Sequence, residues 1–180
     1  AEWKLVDGVF PTSKFEDSVN ARVAEVAGEG HPDRKGVKLE PLNPTEEENG
    51  LQYQHVKVEM NPAERTATIT LTVPDELPEI PAQAHDLGCT WFPLQAFREL
   101  DDALLRLRFN YPELGLILLQ TRGNAQTMLQ LDQQLAARQD DWFIAEVTHF
   151  LKRTLKRVDM TSRSFFAIVD ENSCFAGTLY

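Results

Sequence analysis

Residues 53–73 have the sequence YQHVKVEMNPAERTATITLTV, and this stretch decides the fold. Val56, Val58 and Met60 alternate with polar residues. A turn over 61–65 follows, and apolar residues then alternate with threonines. A period of two on both sides of a turn is typical of a β-hairpin with one buried face. We therefore predict a β-hairpin over 53–73.

The chain after this hairpin alternates between helical and strand-like patterns. The predicted order is a helix from Leu94 that ends at 110–112, a buried strand over 114–119, helices over 125–138 and 141–157, a buried strand over 165–169 and a turn over 170–173. Buried strands separated by helices indicate parallel crossovers and an α/β fold class. No helix follows the last strand to cover it, so we expect the chain to be an incomplete piece of a domain.

The first half-hundred residues have a different texture. Ser13 and Glu16 have the spacing of a capping box, and apolar residues then recur at helical spacing at Phe15, Val19, Val23 and Val26. Residues 28–50 are rich in glycine, proline and acidic residues, which is typical of a linker or an exposed loop. We therefore predict a helical unit over 1–27, a linker over 28–50 and a second unit over 51–180.

Composition excludes several classes of protein. The chain has 180 residues, of which 42% are hydrophobic and 26% are charged, as in globular domains. Its net charge of -10 argues against binding to nucleic acid or to an anionic membrane surface. It has no apolar run near the roughly 20 residues that span a bilayer, and its N-terminus does not resemble a secretory signal. Its two cysteines are expected to be reduced thiols in the cytoplasm.

Three groups of residues suggest chemistry when they are taken alone. His85 and Cys89 stand four apart, as two metal ligands on a helix do, but no second pair follows at zinc spacing. Cys174 follows a strand, as a nucleophile does, yet its surroundings lack the Gly-x-Ser-x-Gly pattern. A basic cluster is either a solvated helix face or a contact to phosphate or an acidic partner; it consists of Lys152, Arg153, Lys156, Arg157 and Arg163.

A run of small residues follows the last predicted strand and its polar turn. Ala176-Gly177-Thr178 has the composition of a helix start, where backbone N–H groups are unpaired and carry a positive partial charge. Small residues let a ligand oxygen approach closely. Such a place is suited to stabilising an oxyanion.

The longer segment that contains these residues resembles a known family. Residues 166–178 resemble the oxyanion-forming segment of the crotonase (enoyl-CoA hydratase/isomerase) superfamily. The hairpin 53–73, the helix from Leu94 and the strand 114–121 come in that superfamily's order, and residues 3–11 resemble the start of its C-terminal helical region. The resemblance implies crotonase-like ββα units. Only the tail of one unit and the opening half of a second are expected here.

A closer resemblance is to the benzoyl-CoA-dihydrodiol lyases of that superfamily. It is carried by residues 91–94, 99–103, 152–157, 159–164 and 173–179. These enzymes contain two crotonase-like halves, so the chain resembles an internal portion. The resemblance implies that water opens the ring of a dihydrodiol benzoyl-CoA thioester in aerobic benzoate degradation. The products are a semialdehyde CoA thioester and formate. It implies an acyl-CoA substrate, a homo-oligomer, and no metal or other cofactor, because CoA is part of the substrate.

The resemblance assigns site residues position by position. The superfamily's glycine run aligns with Gly177-Thr178-Leu179, so Gly177 and Thr178 are candidate oxyanion positions. An ungapped count places the other oxyanion N–H near Met128, where the superfamily has a small residue. The catalytic glutamates find no match, and one of them falls directly after Tyr180. We expect a degenerate second site; a working hydratase or isomerase, and a non-catalytic module that builds the oligomer, stay as alternatives.

Overall fold

The computed structural model describes Trp3, residues 5–28 and residues 35–180. These residues divide into two compact units, Ala1–Gly36 and Val37–Tyr180. Residues 1, 2 and 4 of the predicted helical unit and residues 29–34 of the predicted linker lie outside the described residues. Lys4 also belongs to the stretch 3–11 that carries part of the resemblance. The described residues form a mixed α/β structure with four α-helices and a six-stranded sheet.

The first unit contains helix α1, Thr12–Ala27, which confirms the predicted helix. The capping box is wrong, because the helix begins after Pro11 and no side chain caps its first turn. Proline suits this place because it has no N–H to satisfy. None of the helix residues is buried, and its apolar positions Phe15 and Val23 are more than half exposed.

The second unit is built on one sheet, and its strands lie side by side in chain order. They are β1 Thr45–Glu47, β2 Gly50–Gln52, β3 Val56–Asn61, β4 Thr66–Thr72, β5 Leu116–Arg122 and β6 Ser164–Ala167. The pairings from β1 to β4 are antiparallel, and Val58 lies opposite Ile69, which confirms the hairpin over 53–73. The prediction of an exposed loop is wrong over Thr45–Glu47. That strand has no buried residue, so only backbone pairing forms it and no apolar alternation reveals it.

Three helices connect the later strands. They are α2 Phe92–Asn110, α3 Ala125–Ala137 and α4 Trp142–Asp159, and all three were predicted from helical periodicity. Helix α2 joins β4 to β5, while α3 and α4 join β5 to β6; both pairings are parallel, as predicted. The Asn124 and Asp141 side chains accept backbone N–H groups at the starts of α3 and α4. No helix in the described part of the chain is long and apolar enough to cross a membrane.

The core lies on one face of this sheet. Its sheet side chains include Val56, Val58, Ala67, Ile69, Leu71 and Ile117. The prediction that β5 and β6 are buried strands is wrong for one face of β5 and for most of β6. Alternate β5 side chains are only half-buried, and three of the four β6 residues are exposed. An apolar run reports a preference for burial, but not whether another element covers the second face.

A buried glutamate joins helix α2 to the hairpin. Glu99 is 1% exposed, and its Oε2 accepts the backbone N–H groups of His55 at 2.7 Å and Val56 at 3.1 Å. Its Oε1 accepts the Gln95 side chain at 2.8 Å. Both carboxylate oxygens therefore have partners, as a buried charge requires. Glu99 fixes the start of β3 against the helix that leads to β5.

Candidate functional site

The candidate site lies where β5 ends and the last residues of the chain return to it. In open α/β sheets, ligands bind beyond the carboxyl ends of the parallel strands. Residues 168–180 follow β6, and the Ile168 N–H donates to the Leu119 carbonyl of β5. Later residues of this segment contact β5 and α3 at three further points. We call residues 168–180 the returning segment.

The first point is an ion pair between Arg122, the last residue of β5, and Asp170. The two guanidinium nitrogens donate to the two carboxylate oxygens at 2.9 and 3.1 Å. The Asn172 N–H also donates to Asp170, and together with Ser173 and Arg122 it holds the pKa of this carboxyl below its ordinary value. A bidentate geometry fixes direction as well as distance, so the polar turn is held over the end of β5.

The second point buries the cysteine of the returning segment. The Cys174 N–H donates to Thr121 Oγ1 at 3.0 Å, and Thr121 is itself buried in β5. Cys174 is 0% exposed and has no disulfide partner. The nucleophile interpretation is therefore wrong for this arrangement, because a nucleophile has to reach its substrate.

The third point joins the returning segment to α3. The Thr178 N–H donates to Asp132 Oδ2 at 2.5 Å, and Thr178 Oγ1 donates to Asp132 Oδ1 at 2.6 Å. The structure over Gly177–Leu179 is a three-residue 3₁₀ turn, shorter than the helix that small residues suggested. Gly177 has φ +53°, and a Cβ there would overlap the Asp132 carboxylate.

Met128 lies on the buried face of α3 and is 1% exposed. Its N–H donates to the Asn124 carbonyl at 3.4 Å, within the first turn of the helix. Both backbone N–H groups of the predicted oxyanion pair, those of Met128 and Thr178, therefore have acceptors inside the chain. The assignment of these positions stays a prediction, and a ligand oxygen has to displace an internal acceptor to use either group.

Two cavities adjoin the returning segment. The first has a volume of about 360 Å³ and an apolar lining that includes Leu71, Leu119, Leu155, Ala167, Phe175 and Leu179. The second has a volume of about 410 Å³ and is lined by more polar residues, among them Asp132, Gln139, Thr148 and Lys152. Leu155 and Thr178 line both cavities. A mostly apolar cavity with a few polar groups is the usual form of a small-molecule site.

The remaining predicted residues do not converge on these cavities. His85 lies in a short 3₁₀ turn, Ala84–Leu87, where its Nε2 is 3.7 Å from Asp86 and its ring packs against Trp142. The described residues contain no group of three or more histidine, cysteine, aspartate and glutamate residues that could hold a metal ion. The pair with Cys89 is therefore not part of a larger ligand set in the described chain.

The basic cluster separates into structural and exposed members. Arg163 donates to the carbonyls of Leu107, Tyr111 and Leu114, so it caps the end of α2 and the loop that follows. Arg157 donates to Asp101 of α2 at 2.5 Å. Lys152 is exposed and lines the second cavity. Of the five cluster residues, Lys152 is the one that lines a cavity of the candidate site.

Sequence reasoning missed Asp132, which determines the geometry at Thr178. A single aspartate on a half-exposed helix position has no local signal, because such residues are usually solvated. The contact joins residues from α3 and from the returning segment, and no motif links the two. Only the three-dimensional structure brings them together.

No family model matches the chain. Benzoyl-CoA-dihydrodiol lyase of Aromatoleum evansii is 40% identical over 181 residues, which cover 99% of this chain and 33% of that protein. The chain therefore spans about a third of the length of the curated relative that it matches. The resemblance predicted from the sequence is confirmed, and this coverage is consistent with a portion of a longer protein.

Proposed function

We propose that the chain is part of a lyase that opens the ring of a dihydrodiol benzoyl-CoA thioester with water. The products would be a semialdehyde CoA thioester and formate. The observation that carries this proposal is the 40% identity to benzoyl-CoA-dihydrodiol lyase over 99% of the chain. A fold alone does not define a reaction, so this similarity, and not the sheet, is the basis of the proposal.

Three structural features support a crotonase-like interpretation. The hairpin β3–β4 is followed by α2, which is the order of a ββα unit. The segment that resembles the oxyanion-forming region returns to the carboxyl end of β5, where α/β proteins bind ligands. The apolar cavity beside Thr178 has the character that suits the ring of an acyl group.

The proposed chemistry needs an enolate of the thioester to be stabilised. Two backbone N–H groups would hold the thioester oxygen, and carboxylates would move the protons. We place the working site in the other half of the longer protein, because Met128 and Thr178 stand where the superfamily has a small residue and a glycine. The proposal requires no metal or redox cofactor, since CoA is part of the substrate, and it places the homo-oligomer in the cytoplasm.

A second candidate function is a non-catalytic module that packs against the working half and builds the oligomer. The observation that favours it is that both predicted oxyanion donors, two backbone N–H groups, already have acceptors inside the chain. The Thr178 N–H is bound to Asp132, and the Met128 N–H is bound to Asn124. A preorganised oxyanion site has its donors directed at the reacting oxygen, which neither of these is.

The activity is tested with the full-length protein that contains this chain and with dihydrodiol benzoyl-CoA as substrate. We expect one formate for each ring opened, measured by NMR, and no formate from the 180-residue chain alone. An absence of formate from the full-length protein overturns the proposed reaction. Turnover by the chain alone overturns the placement of the working site.

The role of the second half is tested by Thr178→Phe in the full-length protein. We expect formate release to stay within about twofold of the unchanged protein, since a bulky residue at a non-catalytic position costs no transition-state contact. A loss of about a hundredfold would instead identify a working second site, because the phenylalanine side chain keeps the backbone N–H but hinders the thioester from reaching it. Thr148→Phe, at another position that lines the second cavity, controls for the added volume.

A further inference from the structure

We propose that Asp132 is an internal anion that occupies the Thr178 donor and excludes a ligand oxygen from it. The inference rests on the proposed function, because Thr178 has an oxyanion role only in a crotonase-like unit. It adds the physical reason why this half does not bind a thioester productively. The reason is a carboxylate placed where the thioester oxygen would lie.

The carboxylate uses both of its oxygens on one residue. Oδ2 accepts the Thr178 N–H at 2.5 Å, and Oδ1 accepts the Thr178 hydroxyl at 2.6 Å. Hydrogen bonds to an ionised acceptor are about twice as strong as those between neutral groups. A thioester oxygen is a neutral acceptor before reaction, so it competes poorly with a carboxylate that is already attached to the chain.

The glycine before Thr178 fits the carboxylate. Gly177 has φ +53°, a conformation that residues with a side chain rarely adopt. A Cβ at this position would overlap Asp132 Oδ2, so the absence of a side chain is what lets the carboxylate lie against the backbone. The small residue that suggested a ligand site therefore makes room for an internal acceptor.

The carboxylate also blocks access from the larger space around it. Asp132 lines the cavity of about 410 Å³, and Thr178 lines both this cavity and the apolar one. A ligand carbonyl that points at the Thr178 N–H has to approach the negative charge of Asp132. A cavity is therefore present, while the Thr178 N–H on its lining already has an acceptor.

Removing the carboxylate should therefore open the donor. The probe is benzoyl-CoA, an aromatic thioester with no dihydrodiol ring to open, titrated calorimetrically into the 180-residue chain. We expect Asp132→Ala to bind benzoyl-CoA about tenfold more tightly than the unchanged chain, which corresponds to one hydrogen bond regained. Asp132→Asn should fall between the two, because its amide keeps one acceptor oxygen and loses the charge.

The matched control is Asp140→Ala, which removes the same charge from an exposed position outside both cavities. Equal tightening by Asp132→Ala and Asp140→Ala overturns the proposal, because a general charge effect then explains the gain. Weaker binding by Asp132→Ala also overturns it, since Asp132 would then support the site and not close it. Free CoA, titrated in parallel, should bind equally to the unchanged chain and to Asp132→Ala.

Loss of folding in the alanine variant does not obscure the result. Far-UV circular dichroism of each variant identifies unfolding. If Asp132→Ala is unfolded, the affinity of Asp132→Asn for benzoyl-CoA is the test, and an affinity equal to that of the unchanged chain counts against the proposal. The formate assay on the unchanged full-length protein is independent of these titrations. A protein that releases formate while Asp132→Ala binds no more tightly would sink this inference and leave the proposed reaction intact.

Discussion

Gly123→Ala is expected to destabilise the chain by about 3 kcal/mol or more. Gly123 follows β5 directly and has φ +118°, a backbone conformation that a residue with a Cβ rarely adopts. The new Cβ would also overlap the Val73 carbonyl oxygen. That carbonyl cannot move away easily, because the Val73 N–H donates to the Arg122 carbonyl at 2.8 Å and holds the two strand ends together. The free energy of unfolding in urea, followed by circular dichroism, measures the loss.

Gly115→Ala is the control for this substitution. Gly115 precedes β5, its φ lies outside the glycine region, and no atom lies within 4 Å of an added Cβ. We expect its free energy of unfolding to change by less than about 1 kcal/mol. Equal losses from the two variants would show that any side chain beside β5 is disruptive, and that the conformation of Gly123 is not the cause.

Glu99→Ala is expected to cost about 3 kcal/mol of the free energy of unfolding. The variant leaves the backbone N–H groups of His55 and Val56 without their acceptor. Glu99 is 1% exposed, so this acceptor is lost from a buried region. Water replaces that acceptor poorly, because burial restricts its access. Urea unfolding of the purified chain measures the change.

Two variants control for this second result. Glu99→Gln keeps one carbonyl oxygen that can accept from the backbone, so we expect it to lose about half as much as Glu99→Ala. Glu146→Ala makes the same exchange at an exposed position in the second turn of α4, where we expect a change within about 0.5 kcal/mol. A loss from Glu99→Ala no greater than that from Glu146→Ala would contradict a role for Glu99 in fixing β3.

Local periodicity predicted most of the second unit, because helices and paired strands impose their period on the chain. Periodicity predicted the hairpin, α2, α3, α4 and the two parallel crossovers, and the structure confirms all of them. Periodicity failed at Thr45–Glu47, whose strand is formed by backbone pairing alone. It failed again at β6, where apolar residues are exposed in the described structure.

The candidate site was less predictable, because its contacts join distant parts of the chain. The resemblance pointed to Thr178 and Met128, yet the acceptor that occupies Thr178 is Asp132, which carried no signal. Glu99, in contrast, did carry a signal in the sequence. It lies on the apolar face of α2 between Ala96 and Ala103, so a charge there indicates a buried partner.

The position of β5 between two parallel neighbours has a consequence for how the chain assembles. Strands β1 to β4 each pair with a strand that is close in sequence, so little chain is restricted when they meet. To pair with β4, β5 has to close a loop that contains α2, and to receive β6 it has to close one that contains α3 and α4. Closing long loops costs chain entropy before the contacts repay it. β5, the strand that positions the candidate site, is therefore the strand whose pairing costs the most chain entropy.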